Sequence, residues 1–422
     1  MFKGRLRWAL MAVLALTAVL ALAACGRDDD DDNGGGDGDV ATAPGFDGTT
    51  IRLGVVTPLS GPVAVIGNPL TNGNRVWFEY VNEEQGGIGG RYRVELVERD
   101  SRYDPATAVQ QYNRVKDDVT MFVQVLGTPI INAVLPQLNR DQIVAGPATL
   151  DSEWVREQYL APVGGPYQIQ VINAVDYYIR EEGEGNNICA MIQDDPYGEA
   201  GLEGLEFAAE QYEFEIAEVA RYRAGDQDVT GQIGQLAQAQ CEMVLYVGLP
   251  SDAGTVLGTA AQAEFAPRWI GQSPSWVAAL GESPLAEYLQ QRFWVIAEGP
   301  EWGDESVPGM AAMIERVEQF APDQEPDYYF TFGYSQARLI SEILEKAVEN
   351  GDLSREGIVE AMNNLGTFST DGLGGDYEYG PPEERNPPRQ STLYQVNPES
   401  PFGLEALETN FSSDAAEAFE FE

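Results

Sequence analysis

From Thr50 onward the chain alternates short apolar runs with stretches of helical period, and that alternation leaves few folds open. Ile51 to Val56 is a short strand that ends in a Pro/Ser/Gly turn. A helix follows through Leu70, Trp77, Tyr80 and Val81 and closes at Gly86-Gly87, residues suited to the left-handed backbone that ends helices. Val94 to Val97 is a second strand. Asp104-Pro105 opens the next helix, with Asp as cap and Pro in the first turn, where a missing N–H costs nothing. Met121 to Val125 and Ile143 to Ala145 read as strands on either side of a helix from about Ile131 to Arg140. Apolar strands separated by helices pair in parallel and are covered on both faces.

After Pro162-Val163-Gly164-Gly165-Pro166 the rhythm restarts. Helix Tyr167 to Glu182, strand Ile188 to Gln193 and a helix from near Tyr197 come first. Strand Phe214 to Tyr222, helix Val229 to Ala239, strand Met243 to Val247, helix Ser251 to Glu264 and strand Trp269 to Gly271 follow. Phe293 to Ala297 is one more strand. Helix Ser335 to Asn350 carries Leu339, Ile340, Ile343 and Leu344 on one stripe, and Ser391 to Val396 is a last strand in a Gly/Pro-rich tail. The expectation is an α/β chain with two lobes, each a doubly wound parallel sheet. Open sheets of this kind bind ligands at the carboxyl ends of their strands, so a cleft between the lobes is the expected site.

The first residues read differently. Lys3, Arg5 and Arg7 precede an uncharged run from Trp8 to Ala24, which ends in Leu22-Ala23-Ala24-Cys25-Gly26. This has the form of a secretory signal with a lipoprotein cleavage site, the lipid falling on Cys25. Arg27 to Gly48, with Asp28 to Asp32 and Gly34-Gly35-Gly36, reads as a solvated tether with nothing to bury. The protein is therefore expected outside the cytoplasm, held to the outer face of the membrane by lipid alone.

Charge and composition exclude several functions. Acids outnumber bases 68 to 25, and only Lys3, Lys116 and Lys346 are lysines. Such a surface repels nucleic-acid phosphates and anionic lipid, and points to a salt-adapted exterior. There is no histidine, which removes Ser-His-Asp and Cys-His nucleophiles and the commonest zinc sites. No cofactor, metal or catalysis is expected. Cys189 and Cys241 lie near the starts of strands that should be neighbours; a disulfide and two buried thiols both remain open.

Four motifs carry a resemblance. Leu53-Gly54-Val55-Val56-Thr57-Pro58-Leu59-Ser60-Gly61-Pro62 is similar to the opening strand and first binding loop of type I periplasmic solute-binding proteins, the branched-chain amino acid (leucine/isoleucine/valine) branch in particular. Asn82-Glu83-Glu84-Gln85-Gly86-Gly87-Ile88-Gly89-Gly90, Asp100 with Asp104-Pro105, and Asp194-Asp195-Pro196-Tyr197-Gly198 resemble further segments of that branch. The likeness runs from Ile51 to Val396. It implies the substrate-binding component of an ABC importer, a monomer whose partners are a small solute, a permease and its ATPase subunits. A ligand-sensing receptor feeding a signalling partner is the alternative. An exported carboxylate-dyad glycosidase is disfavoured, since no motif sets two acids on facing strand ends.

The resemblance also places a site. Its positions fall on Ser60 and Ile66 in the first loop, Gly127-Thr128, Ala148-Thr149, Tyr197, Leu249 and Ser273. Ile66 and Leu249 stand where amino-acid binders have aromatic residues. Ser273 stands where they have the acid that pairs with the ligand ammonium. An unpaired buried ammonium is costly, so a less cationic solute is expected, such as a carboxylate, an amide or an aromatic acid, unless Asp194, Asp195 or Asp252 reaches in. Trp276 could add a stacking wall. The implied boundaries are a signal at 1–24, a tether at 25–48, lobe one at 49–164 plus 296–366, lobe two at 165–295 plus 367–400, and an acidic tail at 401–422.

Overall fold

The computed structural model describes residues 40–183, 187–300, 303–400 and 402–421; the signal segment, Cys25 and the tether up to residue 39 lie outside them. After a two-residue β1 (Ala41–Thr42), the first lobe is built from β2 (Thr50–Thr57), α1 (Ala64–Glu84), β3 (Arg93–Asp100), α2 (Pro105–Val115), β4 (Met121–Leu126), α3 (Thr128–Asp141) and β5 (Ala145–Ala148). Its four strands are all parallel, in the order β3-β2-β4-β5. Both faces of β2 are apolar, and they separate by the two-residue period of a strand. Ile51, Leu53 and Val55 face α1, whereas Val56 packs with α2 and α3.

The second lobe runs through α4 (Tyr167–Glu182), β6 (Ile188–Gln193), α5 (Pro196–Tyr212), β7 (Glu218–Tyr222), α6 (Thr230–Gln238), β8 (Met243–Val247), α7 (Pro250–Gln262), β9 (Arg268–Gln272), α8 (Ala278–Gly281), α9 (Ala286–Arg292) and β10 (Phe293–Ala297). The chain then returns to the first core with α10 (Pro308–Phe320), α11 (Tyr328–Glu349), β11 (Asp352–Leu353), α12 (Arg355–Asn363), β12 (Thr367–Phe368) and β13 (Tyr377–Glu378). It ends in the second lobe with β14 (Ser391–Val396), β15 (Leu404–Phe411) and α13 (Asp414–Ala418). The second sheet has seven strands in the order β15-β14-β10-β9-β8-β6-β7. Unlike the expected all-parallel sheet it is mixed, because β14 and β15 pair antiparallel at one edge.

Several expected boundaries move. The strand placed at Ile143–Ala145 is β5, Ala145–Ala148, because Gln142 turns left-handed (φ 54°) and the Ile143 N–H still closes the end of α3 on Leu138. The helix expected from Ser335 starts two turns earlier, at Tyr328, with the Asp327 carboxylate accepting from the Phe330 N–H. Residues 367–379 join the first core rather than the second lobe, through Phe368, Leu373, Tyr377 and Tyr379. Residues 402–421 are not a loose acidic tail: β15 completes the sheet, and Ala416, Phe419 and Phe421 are buried. Their acids alternate with these apolar residues and point outward. Residues 40–48, assigned to the tether from the sequence, are ordered instead, since β1 pairs with β11 and Phe46 packs edge-on against Tyr92.

Cys189 in β6 and Cys241 just ahead of β8 are joined as a disulfide between neighbouring strands. A closer constraint lies between α1 and α11, which cross with backbone nearly touching backbone. A Cβ on Gly73 would lie 2.2 Å from the Phe330 carbonyl oxygen, and one on Gly333 1.9 Å from that of Leu70. The Asn74 side chain caps this contact by donating to the Gly333 carbonyl at 2.8 Å. Gly333→Ala is expected to destabilise the protein by about 1–3 kcal/mol through overpacking, measured as a lowered urea midpoint. Removing the disulfide as Cys189→Ala/Cys241→Ala opens a loop spanning 52 residues of sequence. That double variant should lose about 2–4 kcal/mol, and reductant should then no longer shift its melting curve.

Candidate ligand-binding site

In a parallel sheet each strand's carboxyl end lies beside the start of the next helix. Here those ends meet across one cavity of ≈ 490 Å³, its mouth included. Ile66 lies in the first turn of α1, Thr128 opens α3, Tyr167 opens α4 and Tyr197 is the second residue of α5. Leu249 caps α7, and Tyr328 and Tyr329 open α11. Six helix N-termini therefore face one space. At α5 and α11 the N–H groups are capped by the Asp195 and Asp327 carboxylates; the other four termini carry no side-chain cap, and each contributes about half a positive charge from its unpaired N–H groups.

The side chains are neutral. Thr128 and Thr149 hydroxyls share a hydrogen bond of 2.6 Å, and both are buried. The Tyr197 hydroxyl is buried without a partner. The Tyr328 hydroxyl faces Glu298 and Ser273 but closes a well-formed hydrogen bond with neither. Burial raises Tyr103, Tyr197, Tyr328 and Tyr329 well above the usual tyrosine range, so all four remain hydrogen-bond donors at neutral pH. Leu70, Leu126, Leu150 and Phe332 supply the apolar wall. The lobes are tied across the cleft by Tyr329, whose hydroxyl donates to the Trp276 carbonyl at 2.7 Å.

Of the nine positions read from the sequence, Ile66, Gly127, Thr128, Ala148, Thr149, Tyr197, Leu249 and Ser273 line this cavity. Ser60 does not. Its hydroxyl donates to Asp100 at 2.6 Å, and Asp100 also accepts from the Leu59 and Arg102 N–H groups, so Ser60 pins the first loop to the end of β3. The three acids that might have met an ammonium are engaged elsewhere. Asp195 caps α5 through the Tyr197 and Gly198 N–H groups, and Asp252 accepts from the Gly225 N–H. Asp194 lies in a separate surface crevice with Asp151, Glu199 and Glu203. Trp276 is buried behind the cleft and donates to the Phe402 carbonyl. Tyr103, Tyr167, Tyr328 and Phe332 line the cavity without having been read from the sequence. For Tyr328 a signal existed, since Pro326-Asp327 is a helix-start pattern.

Among the described residues no cluster of His, Cys, Asp and Glu could hold a metal. No helix there is long and apolar enough to cross a membrane.

Residues 50–401 match the family model described as periplasmic binding protein. The chain belongs to that family. It is 25% identical over 334 residues to a leucine-, isoleucine-, valine-, threonine- and alanine-binding protein of Pseudomonas aeruginosa, covering 76% of this chain and 84% of the relative. Among solved structures, a fatty acid ABC transporter substrate-binding protein from Thermomonospora curvata superposes with a TM-score of 0.84. It is 26% identical and covers 91% of this chain and 97% of its own. A branched-chain amino acid ABC transporter protein from Thermus thermophilus with bound valine superposes with a TM-score of 0.76 at 17% identity, over 87% and 98% of the two chains, and supports the fold. The type I periplasmic binding fold, with two lobes and parallel-rich sheets, is thus established, and the family implies a place outside the cytoplasm.

Glu298, directly after β10 where the chain leaves the second sheet, is buried and accepts from Gln170 at 3.0 Å. Desolvation pushes its carboxyl up to about 7 from 4.5. Folded protein then holds a proton that unfolded chain has released, so stability falls as pH rises through that window. Glu298→Gln should be more stable than wild type by about 3 kcal/mol above neutrality. The advantage should vanish by about pH 4.5, which urea titrations across pH would show.

Proposed function

We propose that this protein is the lipid-anchored substrate-binding component of an ABC importer, and that its solute carries a carboxylate but no ammonium. One observation carries the second half of the proposal: four uncapped helix N-termini and a set of hydroxyl donors face the cleft, and among the described residues no acidic side chain lines it. An ammonium there would be desolvated against like-signed dipoles with no counter-ion. A carboxylate meets the one donor left by the Thr128–Thr149 pair, the Tyr197 hydroxyl and a favourable field, without a full countercharge. The apolar wall of Ile66, Leu70, Leu126 and Phe332 suits a hydrocarbon or aryl body. Family relatives named for branched-chain amino acids and for fatty acids share a carboxylate, and the cleft chemistry favours the second kind. Uptake proceeds by closure: the solute touches both lobes only when they meet, so binding shifts the population toward the closed form that a permease reads.

Leucine and isocaproate, which differ only by the amino group, separate the readings. Calorimetry should show isocaproate binding at least tenfold more tightly; tighter leucine binding sinks the proposal. Thr128→Ala should weaken the carboxylate by about 2 kcal/mol, roughly thirtyfold, with little effect on melting temperature. Small-angle scattering should record a smaller radius of gyration with isocaproate than without it.

A further inference from the structure

Behind the cleft, where the chain passes between the lobes, lies a second cavity of ≈ 780 Å³, its mouth included. Its walls come from two of these passages and from a loop of the first core. Val163 and Gly164 precede α4, Glu298 and Gly299 follow β10, and Leu373 and Gly374 lie between β12 and β13. Trp276, Val295, Tyr394 and Phe402 close it from the second sheet, and the surface is mostly apolar. It is not isolated. Ser273, Tyr328 and Phe332 line both this cavity and the ligand cleft, so three side chains form the partition. One of them, Tyr328, carries the hydroxyl that lacks a well-formed hydrogen bond. Phe332 is partly buried and packs against the cores on both sides.

We infer that this hinge cavity is a tail subsite continuous with the cleft, so that the solute is a long-chain or aryl-alkyl monocarboxylate lying across the Ser273–Tyr328–Phe332 partition. The inference rests on the carboxylate reading above and adds direction and length to it. The donors lie at the Thr128–Thr149 end, which takes the head. Among the described residues the hinge wall has one carboxyl, Glu298, and no cation that could receive a carboxylate, so the hydrocarbon end points that way. The surface the hinge wall presents is mostly apolar, with its hydroxyls a minor part, which makes length the property it measures.

The test uses butanoate, octanoate and dodecanoate with the full mature chain in calorimetry. Wild type should bind more tightly as the chain lengthens, by up to about fourfold for each methylene that becomes fully buried. Gly374 lines the hinge cavity, and a Cβ there meets nothing nearer than 3.6 Å, so Gly374→Leu fills the space with ordinary contacts. It should lower the ratio of dodecanoate to butanoate affinity at least tenfold. Phe332→Ala removes part of the partition and should raise that ratio. This second variant keeps the test decisive if the first melts poorly. If butanoate and isocaproate bind but affinity is flat with length and neither variant moves the ratio, the tail subsite is wrong and the carboxylate reading stands. If no monocarboxylate binds while leucine does, the carboxylate reading has failed and the tail subsite falls with it.

Discussion

Parallel pairing is the constraint from which the rest of this protein follows. A chain that returns to the same edge of a sheet after every strand must cross over by a helix, and the helix then begins where the strand ended. Done twice, and with the two sets of strand ends facing one another, this brings Thr128, Tyr167, Tyr197, Leu249 and Tyr328 to one cavity from widely spaced parts of the chain. The electrostatic character of the site is therefore a property of topology before it is a property of side chains. On the proposed function no arginine or lysine is needed to make the cleft attractive to an anion, and among the described residues none lines it. On that reading the side chains add the exclusion of cations, through the serine at position 273 and the engagement of Asp195 and Asp252 in capping and turn contacts.

The strands buried on both faces were the most legible part of the fold. Strands β6, β8, β10 and β14 have the bounds their sequence suggests, because nearly every residue in them is buried and each centres on a short apolar run. Legibility falls where burial is shared with acids. Residues 402–421 read as an acidic tail because five acids and no base punctuate them, yet the apolar residues between them close the second core. Residues 367–379 misled for a related reason, since two buried tyrosines, Tyr377 and Tyr379, sit among glycines that look like loop. Helix α11 was read two turns short, and that error hid Tyr328, Tyr329 and Phe332, which line the cleft.

At the site itself, what the sequence carried was position along the motif. Eight of the motif positions converge because strand ends and helix starts are fixed by the topology. Ser60 is the exception: it sits in a turn whose path depends on Asp100, forty residues away, and no local pattern reports that partner. Leu70 and Tyr103 come to the cavity through the packing of whole elements against one another, so nothing in their own neighbourhood announces them. The Gly73–Gly333 approach is likewise silent in the sequence, although it sets how α1 and α11 hold the wall on which Phe332 stands.

The acidic exterior and the cleft it surrounds have opposite polarity, and this separates how fast a solute arrives from which solute is kept. Every anion approaching a chain of formal charge −43 meets the same repulsion, so the outer charge cannot choose among carboxylates. It acts only on the encounter, and added salt relieves it by shortening the range of the field. Dissociation is governed inside, where dipoles shielded from bulk ions keep their strength. Capture by such a receptor should therefore quicken as ionic strength rises while residence time stays nearly constant, the reverse of the behaviour of a basic protein that draws its anion in from a distance.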